Sequence, residues 1–329
     1  MRTGFTFGKY LPFHKGHQAL LDFALAQVDK LYVVVCASDR EPLPVALRGA
    51  WIRETFDGAP KLQVVELEYQ EAELANTSVA SRSVSRAWAK KFKEVLPPVD
   101  VVITSEAYGD YVAEYLGIKH LPFDPARAQV PVSASLIRES VYEYWDFLPD
   151  AVKRTYQRKV VFLGTESTGK SSIAASLTEM FPVVLVKEAG RELIADSNVF
   201  TQALLEKVAL NHAREIERKC ATLYPLVLID TDVHITQSYA RYRFGNYLQL
   251  SQEVYERNRA HLYLYLTADL PFEQDGTRLD VADRNVLDMH HRQTLADFGI
   301  SYLEVGGSWE DRLKQAETIM ERHFRLAAG

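Results

Sequence analysis

The chain has 329 residues, 47% of them hydrophobic and 25% charged, with 38 Lys and Arg against 44 Asp and Glu for a net charge of −6. That length favours two domains of ordinary size, and the acidic balance offers no global field for nucleic acid or an anionic membrane. No apolar run approaches the length of a membrane span, and the N-terminus lacks the apolar stretch of a signal peptide. A disulfide between the two cysteines, Cys36 and Cys220, would have to cross domains, so a reduced, cytoplasmic, enzyme-like protein is expected.

Short β-branched runs alternate with amphipathic segments from the start of the chain. Phe5–Gly8, Leu31–Ala37, Leu62–Leu67 and Val99–Thr104 read as buried strands. Between them His17–Val28, Val45–Phe56 and Ser81–Val95 carry apolar residues at helical spacing. A second series starts at Lys159–Gly164 and continues through Val183–Val186, Leu226–Asp230, His261–Leu266 and Tyr302–Val305. Alternation of this kind predicts an α/β protein of two doubly wound parallel sheets. The expected domains are 1–152 and 158–329, joined by a short, fairly stiff junction that is not rich in Gly or Ser. The basic cluster Lys90, Lys91, Lys93 reads as a solvated helix face.

The first strand runs into Gly8-Lys9-Tyr10-Leu11-Pro12-Phe13-His14-Lys15-Gly16-His17. Two histidines three apart are a weak signal alone. Their context strengthens it, because a strand and glycine turn precede them, a helix follows, and Val132-Ser133-Ala134-Ser135-Leu136-Ile137-Arg138 lies at the far end of the same domain. The pair resembles the (H/T)xGH and ISxSxxR signatures of the nucleotidylyltransferase superfamily, with Val132 a mild departure. In adenylyl transfer a substrate phosphate attacks the α-phosphorus of ATP, so the protein aligns two anions and absorbs charge on pyrophosphate. His14 and His17 are placed to donate to phosphate oxygens. Ser133 and Ser135 are expected to cap the second helix, and Arg138 to hold the β/γ-phosphates as a permanent cation. Gly8 and Lys9 complete the turn. By the same resemblance Arg48 is a candidate second phosphate contact. Trp88 is either a core residue or a stacking platform for a pyridine ring.

The second series opens with Gly164-Thr165-Glu166-Ser167-Thr168-Gly169-Lys170-Ser171-Ser172, between a strand and a helix as a P-loop requires. Its N–H groups would cradle phosphates, with Lys170 on the β/γ oxygens and Ser171 on Mg²⁺. Leu226–Asp230 reads as a Walker-B-like strand whose Asp230 orients the metal shell. Glu188, Arg191 and Asp232 fall on the acceptor side, and either Glu188 or Asp232 could be the general base. Asp275-Gly276-Thr277-Arg278, together with Arg284, reads as a lid over ATP.

Taken together, GKYLPFHKGH, VSASLIRE, Tyr142-Glu143-Tyr144-Trp145, GTESTGKSS, Glu188-Ala189-Gly190-Arg191, LIDTD and DGTR with the following DR make the whole chain resemble the NadR family. Resemblance implies a Rossmann-like nucleotidylyltransferase domain followed by a P-loop kinase domain. The kinase would convert nicotinamide riboside to nicotinamide mononucleotide (NMN), and the adenylyltransferase would convert NMN to NAD. ATP and Mg²⁺ would serve the reactions, and self-association into a homo-oligomer is compatible with the sequence. Some members of the family begin with a DNA-binding helix-turn-helix domain. Here the first strand starts at residue 4 or 5, so DNA binding is not expected. Two rival readings are a phosphopantetheine adenylyltransferase fused to a dephospho-coenzyme A kinase, and an NAD-sensing regulator with one degenerate site.

Overall fold

The structure is a computed structural model, described for residues 1–75, 81–193, 200–269 and 281–324. The chain divides into two compact units, Met1–Thr155 and Tyr156–Gly329.

The first unit runs β1 (Thr3–Gly8), α1 (Lys15–Gln27), β2 (Lys30–Ser38), α2 (Val45–Thr55), β3 (Leu62–Tyr69), α3 (Arg82–Val95), β4 (Val101–Thr104), α4 (Tyr108–Leu116), β5 (Lys119–Pro122) and α5 (Ala134–Glu139). Its five strands are ordered β3-β2-β1-β4-β5, and every neighbouring pair is parallel. β2 is apolar and buried from Leu31 through Ala37, as a strand covered on both faces must be. The order reverses between β1 and β4, and that is where an open α/β sheet leaves a crevice beyond its carboxyl ends. β5 and α4 were not expected from the sequence. Lys119–Pro122 has a single Leu flanked by polar residues and Pro, and only pairing with β4 makes it a strand.

The division between units falls within α6 (Asp150–Tyr156). The second unit then runs β6 (Arg158–Leu163), α7 (Lys170–Met180), β7 (Val183–Val186), α8 (Gly190–Leu193), α9 (Gln202–Cys220), β8 (Leu226–Asp230), α10 (Val233–Phe244), α11 (Gln252–Asn258), β9 (Leu262–Leu266), α12 (Val281–Asp297), β10 (Leu303–Val305) and α13 (Trp309–Phe324). Its sheet order is β10-β9-β6-β8-β7, again parallel throughout. Val160–Leu163 and Leu226–Ile229 are fully buried and form its centre. Register sets Phe162 of β6 beside Asp230 of β8, which brings the P-loop turn and the Walker-B carboxylate to one sheet end.

Candidate functional site

In the first unit a cavity of about 670 Å³ opens at the β1/β4 switch point, a size ordinary for small-molecule sites. Gly8, Lys9, His14, His17, Ser133, Ser135 and Arg138 line it, and so does Trp88. Sequence-distant residues are thus brought together because β1, β4 and α5 all end at the same edge.

His14 is the N-cap of α1. Its Nδ1 accepts from the backbone N–H groups of Gly16 (3.1 Å) and His17 (3.4 Å). An Nδ1 that accepts leaves the neutral imidazole with its proton on Nε2, so Nε2–H is the donor available to a ligand. Gly16 is what allows this fold-back, since a Cβ there would stand 3.0 Å from two atoms of the His14 ring. The His17 ring stacks on His14 with centroids 3.7 Å apart. Burial and the Arg127 charge push the His14 pKa down to about 4. His17 is driven well below its ordinary value by burial, then by His14 and Arg127. Both are neutral donors at physiological pH.

Arg138 reaches back across the unit. Its Nη1 donates to the Leu11 carbonyl at 2.5 Å and its Nη2 to Ser135 Oγ at 3.0 Å. These acceptors carry no charge, so the guanidinium charge is not neutralised by them. Ser133 caps α5 by accepting from Leu136 N at 3.3 Å. Ser135 does not cap: it lies within the first turn and orients Arg138 instead.

Arg48 corrects an expectation. Rather than facing the cavity, it is fully buried under the Gly8 turn. Its guanidinium donates to the carbonyls of Leu43, Lys9 and Cys36 and pairs with Glu41 at 2.6 Å. Glu41 also takes Lys9 Nζ at 2.8 Å. Burial alone would raise the Glu41 carboxyl, but Lys9 and Arg48 together hold it below its ordinary value. Arg48 therefore fixes the Lys9 backbone from behind.

Trp88 packs as a core residue. Its indole N–H donates to the Ala75 carbonyl at 3.1 Å, and its ring meets Tyr69 edge-on at 4.9 Å and Phe92 at 5.6 Å. It nonetheless lines the cavity, half-buried. Arg127, Glu106, Tyr108 and Thr104 also line it. Arg127 has no sequence signature, because Asp124–Gln129 lacks any motif and is shaped by its own turn.

In the second unit Gly164 has φ 131°, and a Cβ there would stand 2.5 Å from the Leu266 carbonyl oxygen. Only glycine fits at this step of the P-loop. Lys170 Nζ donates to the Thr165 carbonyl at 2.7 Å, and Thr168 Oγ1 does so at 2.9 Å. Ser171 Oγ donates to Asp230 Oδ2 at 2.5 Å, while buried Asp230 Oδ1 has no hydrogen-bond partner among the described residues. A hydroxyl and a carboxylate with an orphaned buried oxygen suit a small oxygen-seeking cation.

Asp232 opens α10 directly after the Walker-B strand. Its Oδ1 caps α10 by accepting from His234 N (3.0 Å) and Ile235 N (3.4 Å), and its Oδ2 pairs with His234 Nδ1 at 2.6 Å. Burial works against the charged imidazole, yet Asp232 raises the His234 pKa above its ordinary value. Both carboxylate oxygens of Asp232 are thus engaged by the start of its own helix. Glu188 follows β7 and is half-buried, and its charge is felt by Tyr239, whose hydroxyl donates to Glu166 at 3.4 Å. Arg284 is buried on α12 and donates to the Ala268 carbonyl at 3.2 Å. Arg278 and the rest of the Asp275–Arg278 stretch lie outside the described residues, as does the side chain of Arg191.

Two further buried residues belong to the second unit, and Arg312 is the one that holds the P-loop. Arg312 of α13 is fully buried and donates to the carbonyls of Thr168 (2.9 Å), Thr267 (3.0 Å) and Gly307 (2.9 Å), with Asp269 as its ion-pair partner. His291 of α12 is buried against Ser238 Oγ at 2.7 Å. Neither has a sequence signature.

These two nucleotide-binding α/β units, one with a histidine–arginine polyphosphate turn and one with a P-loop, make the chain a bifunctional transferase. A family model described as an AAA domain matches residues 159–312. The trifunctional NAD biosynthesis/regulator protein NadR of Salmonella typhimurium is 28% identical over 295 residues, covering 84% of this chain and 71% of its own. A nicotinamide-nucleotide adenylyltransferase of Methanocorpusculum labreanum is 27% identical over 161 residues, 46% of this chain and 88% of its own. Crystal structures of NadR protein with NR, and with NAD and AMP-PNP, superpose with a TM-score of 0.67 at 19% identity, covering 100% of this chain and 97% of theirs. The chain is thus similar to NadR proteins over 84% of its length.

Proposed function

We propose that the chain makes NAD from nicotinamide riboside in two ATP-dependent steps. The observation that carries this is the first unit's cavity, which holds His14, His17 and Arg138 together with Trp88. It offers phosphate donors and an aromatic face within one volume. The similarity to NadR and to a nicotinamide-nucleotide adenylyltransferase supports the pyridine nucleotide as substrate.

In the second unit the 5′-hydroxyl oxygen of the riboside attacks the γ-phosphorus of ATP. The bond from γ-phosphorus to the β,γ-bridging oxygen breaks, and ADP leaves. Glu188 takes the hydroxyl proton, since Asp232 is committed to its helix cap and to His234. Lys170 leaves the Thr165 carbonyl for the β/γ oxygens, and Gly164–Gly169 N–H groups hold the phosphates. Ser171 and Asp230 would hold Mg²⁺, which when bound offsets negative charge on the β/γ-phosphates. We assign Arg191 to the riboside side and Arg284 to the ATP side from their positions in the sequence motifs.

In the first unit the NMN phosphate oxygen attacks the α-phosphorus, and the bond to the α,β-bridging oxygen breaks to release pyrophosphate. No protein nucleophile is required. His14 and His17 donate as neutral imidazoles, and Arg138 supplies charge that its present acceptors do not cancel. Trp88 offers its face to the pyridine ring.

The test is to supply nicotinamide riboside with Mg-ATP and resolve products over time. NMN should accumulate first and NAD follow. Absence of both, with phosphopantetheine adenylylated instead, overturns the reading.

A further inference from the structure

Arg127 is the feature of the first unit that neither signature motif contains. It sits on the Phe123–Pro131 loop, lines the cavity beside both histidines, and lowers the pKa of each by its charge. Its Nη2 donates to Oε1 of Glu106 at 2.9 Å. Glu106 belongs to the loop after β4 and lines the same cavity, so the ion pair joins two loops at the cavity's edge.

The backbones on both sides are held firmly. The Asp124 carboxylate accepts from Ala128 N and Gln129 N at 2.9 Å each, which sets the loop that projects Arg127. Across from it, the Glu106 carbonyl accepts from Thr104 Oγ1 at 2.9 Å and from Gly109 N at 3.0 Å. Thr104 in turn meets His120 Nε2 at 3.0 Å, and His120 Nδ1 meets Asp110 at 2.7 Å. The side-chain tips are the part left free to exchange. Their relative exposures are 49% and 46%, so water screens the pair and its attraction is weak.

The charges around the cavity give this exchange a direction. Both histidines are neutral, and Lys9 shares the one Glu41 carboxylate with buried Arg48. Among the described lining residues, Arg138 and Arg127 are the guanidinium groups that can meet a polyphosphate, beside the Lys9 ammonium. Arg138 alone cannot match the charge of ATP. We propose that Arg127 is a second polyphosphate-binding residue, held by Glu106 in the free protein and transferred to the β/γ-phosphates or to pyrophosphate when ATP enters. Glu106 is then a competitor that keeps the guanidinium at the cavity edge and speeds release. This rests on the adenylyl-transfer reading of the first unit.

The exchange is tested with Arg127→Asn and Glu106→Gln in the full chain. Asn is chosen because Arg127 has φ 53°, a left-handed conformation that Asn tolerates. KM for ATP is measured separately in adenylylation of supplied NMN and in riboside phosphorylation. Loss of a charged hydrogen-bonding partner predicts a rise in the adenylylation KM for ATP of about tenfold to a hundredfold in Arg127→Asn. The phosphorylation KM should not move, which guards against a general folding defect. Glu106→Gln should lower the adenylylation KM for ATP, and that gain should vanish in the double variant. Inorganic pyrophosphate should inhibit Arg127→Asn less than wild type. An adenylylation KM within twofold of wild type in Arg127→Asn overturns the proposal while the adenylyl-transfer reading stands. A wild-type chain that cannot adenylylate NMN overturns both.

Discussion

His14 accepts the backbone N–H of His17 at 3.4 Å while the two imidazoles stack at 3.7 Å, so one histidine builds the helix start that presents the other. Two protonated rings could not sit this close in a buried pocket beside Arg127. The arrangement is stable because both are neutral.

That neutrality has a measurable sign. Folding lowers the His14 pKa from 6.5 to about 4, so between those values the unfolded chain binds the extra proton. Stability from this group is complete above about pH 6.5 and declines as pH falls toward 4. His17 is displaced in the same direction. Imidazole resonances followed by NMR should show His14 titrating near 4 and should show no His17 transition near 6.5. Transitions of both rings between 6 and 7 would contradict the neutral-donor mechanism.

Separate chemistry in the two units predicts separable losses. Lys170→Ala should abolish NMN formation and leave adenylylation of supplied NMN intact, and His17→Ala should do the reverse. Each affected rate should fall by roughly a hundredfold or more, the scale for removing one preorganised donor. Product analysis by chromatography reads both steps in one experiment. A folded variant that lost both steps would contradict two independent sites.

Much of this was legible in the sequence because the phosphate turns are local. Gly8–His17 and Gly164–Ser171 each lie at a strand end, where glycine spacing and helix start are fixed within a few residues. The central strands were equally plain, since Leu31–Ala37 and Leu226–Ile229 are buried on both faces and read as unbroken apolar runs. Side-chain direction was not legible. Arg48 turned inward to Glu41 and three carbonyls, Asp232 to its own helix, and Arg127 and Arg312 came in from loops and helices without motifs. Those outcomes depend on tertiary neighbours that no spacing encodes.

The kinase base is decided by what surrounds each carboxylate. Asp232→Asn keeps an N-cap-competent side chain while removing the ion pair to His234, so phosphorylation should slow by less than about tenfold. Glu188→Gln keeps shape but cannot accept the hydroxyl proton, and the expected loss in kcat is about 10²–10⁴. In Asp232→Asn the His234 pKa should also fall, since Asp232 is what raises it. Steady-state rates at saturating riboside separate the two. A larger loss in Asp232→Asn than in Glu188→Gln would reverse the assignment.

Arg312 joins the last helix to the phosphate loop. Its donors satisfy the carbonyls of Thr168, Thr267 and Gly307, three turns that otherwise share no contact in sequence. Arg312→Met keeps much of the side-chain volume but strands three acceptors and leaves Asp269 without its cation. Asp269 is half-exposed and can be solvated, so the cost lies in the stranded carbonyls, about 1–3 kcal/mol for each that stays buried and unpaired. The unfolding transition of the second unit should therefore fall, while that of the first stays in place. Because Thr168 precedes Gly169 and Lys170, the phosphorylation KM for ATP should rise even at temperatures where the unit is folded. Arg312→Lys, which retains a charge but not the three-way fork, should recover part of the stability and little of the ATP affinity. Calorimetry paired with KM measurements tests this, and unchanged ATP affinity in both variants would reduce Arg312 to a purely structural residue.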